Sequence, residues 1–367
     1  MRERLSDVLD RYGANQALIV CGENLARSAV LDVVRDAAGR EVAVFAGSRP
    51  HTPFEVVDAG AATARACGAD ALIALGGSSA VDCAKGIARL VVSGTERVAE
   101  LRPAEFQHLA ESPAPPASAP LPLLTVTTTL SFAEFFPFWG ARDAHTRRKV
   151  PYHDNGTAVR TAFLDGEIAA DAPDDVWVET GVKGLDDALA AYCRASGAEP
   201  FGDPLLVDAI AALAEWLPAS MGRGRIAERQ QVLTATWMTK ASLPRLTPLA
   251  TPGWLSIAVR HALGGVLGLP HGIGSCVALG PALQFHADAT WRRQSALAAA
   301  LGWPDADAAV PLRHGVADLL GRLGVPTRLG PLGVGAADLD DVVAHVMEES
   351  PRLGPPAEVR LACDRML

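Results

Sequence analysis

One short stretch, residues 71–92, constrains the fold of this chain more than any other. Leu72–Leu75 is an apolar run of the kind that forms a buried parallel strand. It ends in Gly76-Gly77-Ser78-Ser79, and residues 80–92 then carry apolar side chains at helical spacing. A strand that turns through glycines into a helix directs backbone N–H groups and the positive end of the helix dipole outward, which favours a phosphate. The stretch therefore predicts either a phosphate-binding turn or a tight turn without a ligand.

The surrounding pattern predicts the architecture. Strand-like runs at 16–20, 41–45, 123–128 and 161–164 accompany the central one, and helical spacing separates the first three strands. This order is typical of an α/β fold with a doubly wound parallel sheet, which binds ligands beyond the carboxyl ends of its strands. A proline-rich connector at 112–122 interrupts it.

After about Asp174 only helical spacing remains, which predicts an all-helical second domain. A chain of 367 residues is long enough for two domains. We assign residues 1–167 to the α/β domain and 168–367 to the helical domain. The default position for an active site is the groove between them.

Composition narrows the function classes. The net charge of −9 makes nucleic acid and anionic membranes poor partners, and no apolar run approaches the length of about 18 residues that a membrane span needs. The N-terminus lacks an apolar signal core, and the six cysteines contain no Cys-x-x-Cys pair. We expect a cytoplasmic protein with reduced thiols and a small molecule as its partner.

A longer string decides between the two interpretations of the central turn. Gly76 to Lys85, Gly-Gly-Ser-Ser-Ala-Val-Asp-Cys-Ala-Lys, resembles the Gly-Gly-Gly-Ser-x-x-Asp-x-x-Lys loop of the iron-containing alcohol dehydrogenase superfamily, with Ser78 in place of the third glycine. The resemblance extends over nearly the whole chain. It implies a Rossmann-like nucleotide domain, a helical domain like that of dehydroquinate synthases, and a homodimer. It also implies an NAD or NADP cofactor whose pyrophosphate lies on Gly76, Gly77, Ser78 and Ser79, with Asp82 in the same loop.

Other positions extend the cofactor site by the same resemblance. Thr127 and Thr128 match a segment that lines the cofactor groove, and Lys149 matches a lysine close to the nicotinamide. Members that prefer NAD carry an acidic residue after the first strand, where this chain has Gly22. Because neighbouring Glu23 could do the same work, the choice between NAD and NADP stays open.

The metal-binding pattern of the superfamily is where this chain departs most. In metal-dependent members two ligands come from a segment His-x-x-x-His-x8-Pro-His-Gly, whose first and last histidines bind the metal and whose middle one lies beside the nicotinamide. Here the segment runs from Ile257 to Gly272. His271 is the last histidine and His261 the middle one, but Ile257 occupies the first position and cannot coordinate a metal.

The other two ligands in those members are an Asp and a His four residues later on one helix. The preferred alignment places Lys183 on the Asp and Asp187 on the His; a shifted one places Asp187 on the Asp and Ala191 on the His. At most two of four ligands remain, so we expect no catalytic metal. Lys183 could supply positive charge in its place, while the alternative interpretation is a surface ion pair of about 0–1 kcal/mol.

A turn at residues 47–53 indicates the branch. Arg-Pro-His51-Thr-Pro resembles a turn of maleylacetate reductases, which are commonly regarded as metal-independent. We therefore expect a metal-independent NAD(P)H-dependent reductase of an activated carbonyl or conjugated enoate, with Lys183, Asp187, His261 and His271 in the catalytic site. Two alternatives stay open: a non-redox lyase, dehydratase or cyclase on the same scaffold, and a catalytically silent nucleotide-binding homologue.

Overall fold

The computed structural model describes residues 1–103, 121–146, 149–195, 197–242, 253–303 and 309–367. The predicted connector at 112–122 lies outside these ranges except for its last two residues. Contacts divide the chain into two compact units, Met1–Asp171 and Ala172–Leu367, which are described separately below. The assignment of domains to residues 1–167 and 168–367 stays a prediction.

The first unit is an α/β structure. Its strands are β1 (Ala17–Gly22), β2 (Val42–Ser48), β3 (Ala71–Gly76), β4 (Leu123–Thr127), β5 (Phe138–Arg142), β6 (Lys149–His153) and β7 (Thr161–Phe163). Its helices are α1 (Leu5–Arg11), α2 (Glu23–Ala26), α3 (Ala29–Ala38), α4 (Phe54–Ala66), α5 (Ser78–Ser93) and α6 (Gly166–Ala169). Five strands form one parallel sheet in the order β2-β1-β3-β4-β7, and β5 pairs with β6 in an antiparallel hairpin.

Both faces of this sheet are covered by helices. Leu18 and Leu72 lie in a buried cluster with residues of α4 and α5, whereas Ile19 and Ile73 lie in a second cluster with residues of α1 and α3. Every residue of β3 is buried. Successive side chains of a strand point to opposite faces, so a strand that is covered on both sides needs the continuous apolar run that the sequence shows.

The second unit is helical in the part that the structure describes. Its helices are α7 (Asp174–Arg194), α8 (Gly202–Ala219), α9 (Ile226–Ser242), α10 (Leu255–Leu267), α11 (His271–Phe285), α12 (Ala287–Ala300), α13 (Arg313–Leu323), α14 (Asp338–Glu349) and α15 (Pro356–Asp364). Helix α7 packs against α8, α9, α11 and α12. It is buried along most of its length, so a charged residue on its inner faces must find partners within the protein.

The predicted α/β fold with a helical second half is confirmed, and the differences are local. Periodicity did not predict the β5–β6 hairpin or helix α15. Helix α4 begins at Phe54, with Pro53 as its N-cap. Ser28 is the N-cap residue of α3. None of the described helices is long and apolar enough to cross a membrane.

Candidate functional site

The turn after β3 has the conformation that its glycines predict. Gly76 has φ = +140°, which side-chain-bearing residues rarely adopt, and a Cβ there would lie 3.2 Å from Ala80 Cβ. Gly77 is extended and is the N-cap of α5. Ser78 and Ser79 are the first two residues of the helix, whose first turn carries no acidic side chain. The positive end of the helix dipole is therefore not neutralised by its own residues.

A hydroxyl group beside this turn also fits a bound ligand. A Cβ at Gly77 would lie 2.6 Å from Thr129 Oγ1, so only glycine allows this approach. That hydroxyl oxygen is buried and has no hydrogen-bond partner within the described ranges. The Thr128 N–H donates to the Gly76 carbonyl at 3.2 Å, which ties the end of β4 to the turn. These residues fit the pyrophosphate of a nicotinamide dinucleotide, because a helix N-terminus, a close backbone approach and a spare hydroxyl all favour a phosphate.

The turn that resembles maleylacetate reductases lies against the same helix end. His51 and Thr52 have φ of 61° and 51°, an uncommon conformation for residues with side chains and a strained one for a β-branched threonine. Thr52 is buried, and its Oγ1 donates to the Ser79 carbonyl at 3.4 Å. The Arg142 N–H donates to the Thr52 carbonyl at 3.0 Å. The strain is thus held in place by α5 and the hairpin.

Lys85, which ends the loop motif, anchors the segment that follows β4. Its ammonium is fully buried and donates to the carbonyls of Ala133, Phe136 and Phe138 at 2.6, 2.6 and 2.8 Å. Burial lowers the pKa of this lysine to about 8, against the opposing attraction of the Asp82 carboxylate. Lys85 therefore shapes the backbone beside the nucleotide loop.

The remaining predicted cofactor residues surround this segment. Lys149 Nζ lies 3.4 Å from Asp82 Oδ2, and Asp82 is buried on α5. Thr127 Oγ1 donates to Glu134 Oε1 at 3.2 Å. At the end of β1, Gly22 is the N-cap of α2, and the Glu23 carboxylate pairs with Arg27. The structure brings Asp82 and Lys149 together and places Thr127 and Thr128 next to Gly76; their contact with a cofactor stays a prediction.

In the second unit, Asp187 on α7 is surrounded by three cations. Lys183 Nζ lies 2.9 Å and Lys240 Nζ 3.2 Å from Asp187 Oδ2, while Arg260 Nη2 lies 2.7 Å from Oδ1. Lys183 and Asp187 stand four residues apart, which places them on one helix face. Their side chains are only 17% and 8% exposed, so the pair is not a surface ion pair.

Asp186 joins the same cluster from the neighbouring position of α7. It accepts hydrogen bonds from Ser256 Oγ at 2.5 Å and from Ser275 Oγ at 2.8 Å. Arg260 Nη1 lies 3.3 Å from its Oδ2, so one guanidinium bridges the two carboxylates. The cluster, defined as Lys183, Asp186, Asp187, Lys240 and Arg260, therefore combines three basic with two acidic side chains.

These contacts fix the charge states. Burial alone would raise the pKa of Asp187, but its attraction to Arg260, Lys183 and Lys240 prevails and holds the pKa well below the usual range. Burial lowers the pKa of Lys183, and lowers that of Lys240 to about 7, although Asp187 opposes both shifts. The pKa of Asp186 is raised by burial despite its hydrogen bonds. Burial thus weakens the proton affinity of both lysines, while the Asp187 carboxylate that they share stays ionised.

The cluster does not fit a catalytic metal ion. Both oxygens of Asp187 are held by cations, and the Lys183 ammonium has no lone pair for coordination. Ile257, at the position of another family ligand, is an alkyl side chain. Among the described residues no three His, Cys, Asp or Glu side chains come together as metal ligands. Positive charge from the protein stands where the resemblance places ligands.

The two motif histidines lie near each other on different helices. The rings of His261 on α10 and His271 on α11 are 5.5 Å apart and nearly perpendicular. His261 Nδ1 lies 2.5 Å from Oε1 of Glu349 on α14. The four predicted catalytic residues thus lie in two pairs: Lys183 forms an ion pair with Asp187, and the ring of His261 lies near that of His271.

Sequence reasoning missed Lys240, Asp186, Arg260 and Glu349. Two of these carry a signal, because Arg260 stands inside an apolar helical run and Asp186 doubles the acidic charge of α7 beside Asp187. A buried charge needs a partner, so each could have been marked as a member of an ion pair. Lys240 and Glu349 lie at helix ends without such a signal.

Comparison with known proteins identifies the family. The model of iron-containing alcohol dehydrogenase matches residues 1–166, and that of the Fe-containing alcohol dehydrogenase family, C-terminal, matches residues 177–361. Lactaldehyde reductase of Escherichia coli K12 is 26% identical over 97% of this chain and 92% of its own length. Maleylacetate reductase 1 of Rhodococcus opacus is 28% identical over 95% and 85%.

A solved structure shares the fold. Sulfoacetaldehyde reductase from Bifidobacterium kashiwanohense, in complex with NAD⁺, superposes with a TM-score of 0.82 at 20% identity, covering all of this chain and 94% of that one. The relatives are oxidoreductases, which confirms that prediction for the enzyme class. Because the two family models together span nearly the whole sequence, this chain belongs to the iron-containing alcohol dehydrogenase family.

Proposed function

We propose that this enzyme is an NAD(P)H-dependent reductase that works without a catalytic metal, in the manner expected of maleylacetate reductases. One observation carries the proposal: Asp187, at a position where metal-dependent relatives have a ligand, is held by Lys183, Lys240 and Arg260. Ile257 stands at the position of another metal ligand of the family and cannot coordinate a metal, which supports the same conclusion.

The first unit would bind the dinucleotide. Gly76, Gly77, Ser78 and Ser79 would hold the pyrophosphate, and Thr127 and Thr128 would line the nicotinamide side. Reduced nicotinamide, when bound, supplies a hydride. The cofactor is NAD(H) or NADP(H). Gly22, at the end of β1, has no carboxylate to select NAD(H), and the carboxylate of neighbouring Glu23 is paired with Arg27.

The second unit would stabilise the charge that hydride addition creates. Reduction of a carbonyl or conjugated C=C leaves negative charge on oxygen, which a preorganised cation can stabilise in a site of low dielectric constant. Lys183 is the candidate for this role, and His261 or His271 is the candidate proton donor. A substrate with an activated carbonyl or conjugated enoate is favoured, because an unactivated alcohol benefits most from a metal that lowers its pKa.

The test follows the absorbance of reduced nicotinamide with maleylacetate and with small aldehydes, with and without EDTA, beside metal analysis of freshly purified protein. We expect consumption of NADH or NADPH that EDTA does not change. The Lys183→Gln variant should lose about 10²–10³-fold in kcat. Arg322→Gln, which removes an exposed cation from α13, serves as the control.

Two results would contradict the proposal. The metal-free part fails if EDTA abolishes activity and Fe²⁺ or Zn²⁺ restores it. The redox part fails if calorimetric titration detects binding of neither NADH nor NADPH.

The proposal also includes a cytoplasmic homodimer. Sedimentation of the purified protein measures the oligomeric state.

A further inference from the structure

His261 and Glu349 form a histidine–carboxylate pair across two helices. Their side chains meet with 2.5 Å between Nδ1 and Oε1, although 88 residues separate them in the chain. Helix α10 packs against both α11 and α14, and Glu349 is the last residue of α14. The pair is therefore a product of helix packing, and its members come from elements that no local motif connects.

His261 lies on the partly exposed side of α10. Neighbouring side chains on a helix point about 100° apart, so Arg260 faces the interior at 7% exposure while His261 is 38% exposed. Nδ1 is directed at Glu349, and Nε2 is on the opposite side of the five-membered ring. Nε2 is therefore the ring nitrogen that Glu349 does not contact.

The carboxylate settles which nitrogen carries the proton. An ionised carboxylate only accepts hydrogen bonds, so Nδ1 must be the donor in this contact. Burial alone would raise the pKa of Glu349, but its attraction to His261, His345 and Arg260 prevails and lowers the pKa. Glu349 therefore stays ionised at neutral pH and acts as an acceptor throughout.

The groups that face the pair come from three helices. His271 of α11 presents its ring at 5.5 Å from that of His261, and His345 of α14 has Nε2 at 3.9 Å from the other oxygen of Glu349. Arg260 precedes His261 on α10. The nitrogen of a second histidine thus lies near the other carboxylate oxygen, beyond hydrogen-bond distance.

We propose that Glu349 is the positioning residue of His261: it holds the imidazole with a proton on Nδ1, so that Nε2 is the nitrogen that exchanges a proton in the reaction. The inference rests on the proposed function for the reaction itself. The imidazolium gives its Nε2 proton to the substrate oxygen that becomes negative on hydride addition. The imidazole that remains keeps its proton on Nδ1, bonded to Glu349, and water restores the Nε2 proton. His261 is the catalytic residue in this step, and Glu349 acts through it.

The first test reads the tautomer directly and needs no activity. Long-range ¹H–¹⁵N NMR of the full-length protein labelled in its histidines distinguishes protonated from unprotonated ring nitrogens, and His261→Gln assigns the signals. We expect the neutral ring of His261 to carry its proton on Nδ1. In Glu349→Gln the proton should move to Nε2 in a substantial fraction, while Glu348→Gln, one residue earlier on the same helix, should leave the spectrum unchanged.

The second test measures NAD(P)H oxidation. Loss of the carboxylate should leave KM for the carbonyl substrate within about twofold of the wild-type value, because Glu349 acts through His261. It should also lower kcat by about tenfold or more with little effect on NAD(P)H affinity. A purely structural contact would change the unfolding midpoint without lowering kcat in the folded variant.

The outcomes separate this inference from the proposed function. A wild-type spectrum with the His261 proton on Nε2 overturns the inference even if Glu349→Gln does not fold. A wild-type kcat in a folded Glu349→Gln also overturns it. If the wild type consumes no reduced nicotinamide, the proposed function fails, whereas an Nδ1 proton that depends on Glu349 still establishes the pair.

Discussion

Lys240 Nζ and Asp187 Oδ2 lie 3.2 Å apart, although 53 residues separate these side chains in the chain. The contact joins α9 to α7 and adds a second lysine to a carboxylate that Lys183 already contacts. Both oxygens of Asp187 are consequently occupied by cations of the protein. This arrangement explains how α7 keeps a charged face inside the helical unit, and it underlies the first prediction.

Replacing Asp187 with Asn should destabilise the protein strongly. The amide cannot balance Lys183, Lys240 and Arg260, so buried positive charge is left uncompensated, at a cost of about 3–5 kcal/mol in the free energy of unfolding. Equilibrium urea denaturation measures the loss. Asp208→Asn, on an exposed position of α8, is the matched control and should change stability by less than about 0.5 kcal/mol. Equal stability of the two variants would show that Asp187 does not balance the cluster.

Replacing Gly77 with Ala should weaken dinucleotide binding. The new methyl group would lie 2.6 Å from Thr129 Oγ1, so the loop or Thr129 must shift. Overpacking of this kind costs about 1–3 kcal/mol, which corresponds to about 5- to 150-fold in affinity if the binding geometry is lost. Calorimetric titration with NADH and NADPH measures the change.

The control for this loop is Gly321→Ala on α13, where a Cβ meets no atom within 4 Å. That variant should bind the cofactor as the wild type does, and alanine in a helix should not reduce stability. Wild-type affinity in Gly77→Ala would argue against the turn as the pyrophosphate site.

Replacing Lys85 with Met should destabilise the protein, because the segment that follows β4 loses the ammonium that anchors it. Three carbonyl oxygens, those of Ala133, Phe136 and Phe138, would lose a charged donor inside the protein. Buried unsatisfied acceptors cost about 1–3 kcal/mol each, so we expect a loss of at least about 3 kcal/mol in unfolding free energy. Arg89→Met, one turn later on α5, removes only the more exposed ion pair with Asp154 and should cost about 1 kcal/mol or less. A small effect of both would mean that water replaces the ammonium.

His286 should make stability depend on pH. Its Nε2 accepts a hydrogen bond from the Leu255 N–H at 3.0 Å, where α10 begins, and its ring stacks on Trp254. Burial, with the positive charge of Arg194, lowers the pKa of His286 to about 4, below the value of about 6.5 expected in the unfolded chain. Between these values the unfolded chain binds a proton that the folded protein does not, so stability falls as pH falls.

The measurement compares wild type with His286→Asn, a neutral residue that can still accept a hydrogen bond. Between pH 7.5 and 4.5 the wild type should lose about 2–3 kcal/mol more than the variant in the free energy of unfolding. Parallel pH dependence of the two proteins would contradict the assignment of a neutral, accepting His286.

Several features followed from sequence because they are encoded locally. The continuous apolar run of β3 requires a strand covered on both faces, and Gly76-Gly77 permits the turn that only glycine can make. The spacing of Lys183 and Asp187 places both on one helix face, which the structure confirms as a contact. Their role in catalysis stays a prediction, as do the cofactor contacts of Asp82 and Lys149.

By itself the sequence determined the parallel sheet, the helical second half and the glycine turn after β3, because strand burial, helix periodicity and the conformational freedom of glycine are properties of neighbouring residues. Only the tertiary structure decided that Lys240 and Arg260 meet Asp187, and that Glu349 meets His261. Each of these contacts joins residues from different helices. Helix periodicity tells which face of each helix is apolar, but not which neighbour that face will meet, so the charge pairing was fixed only when the helices packed.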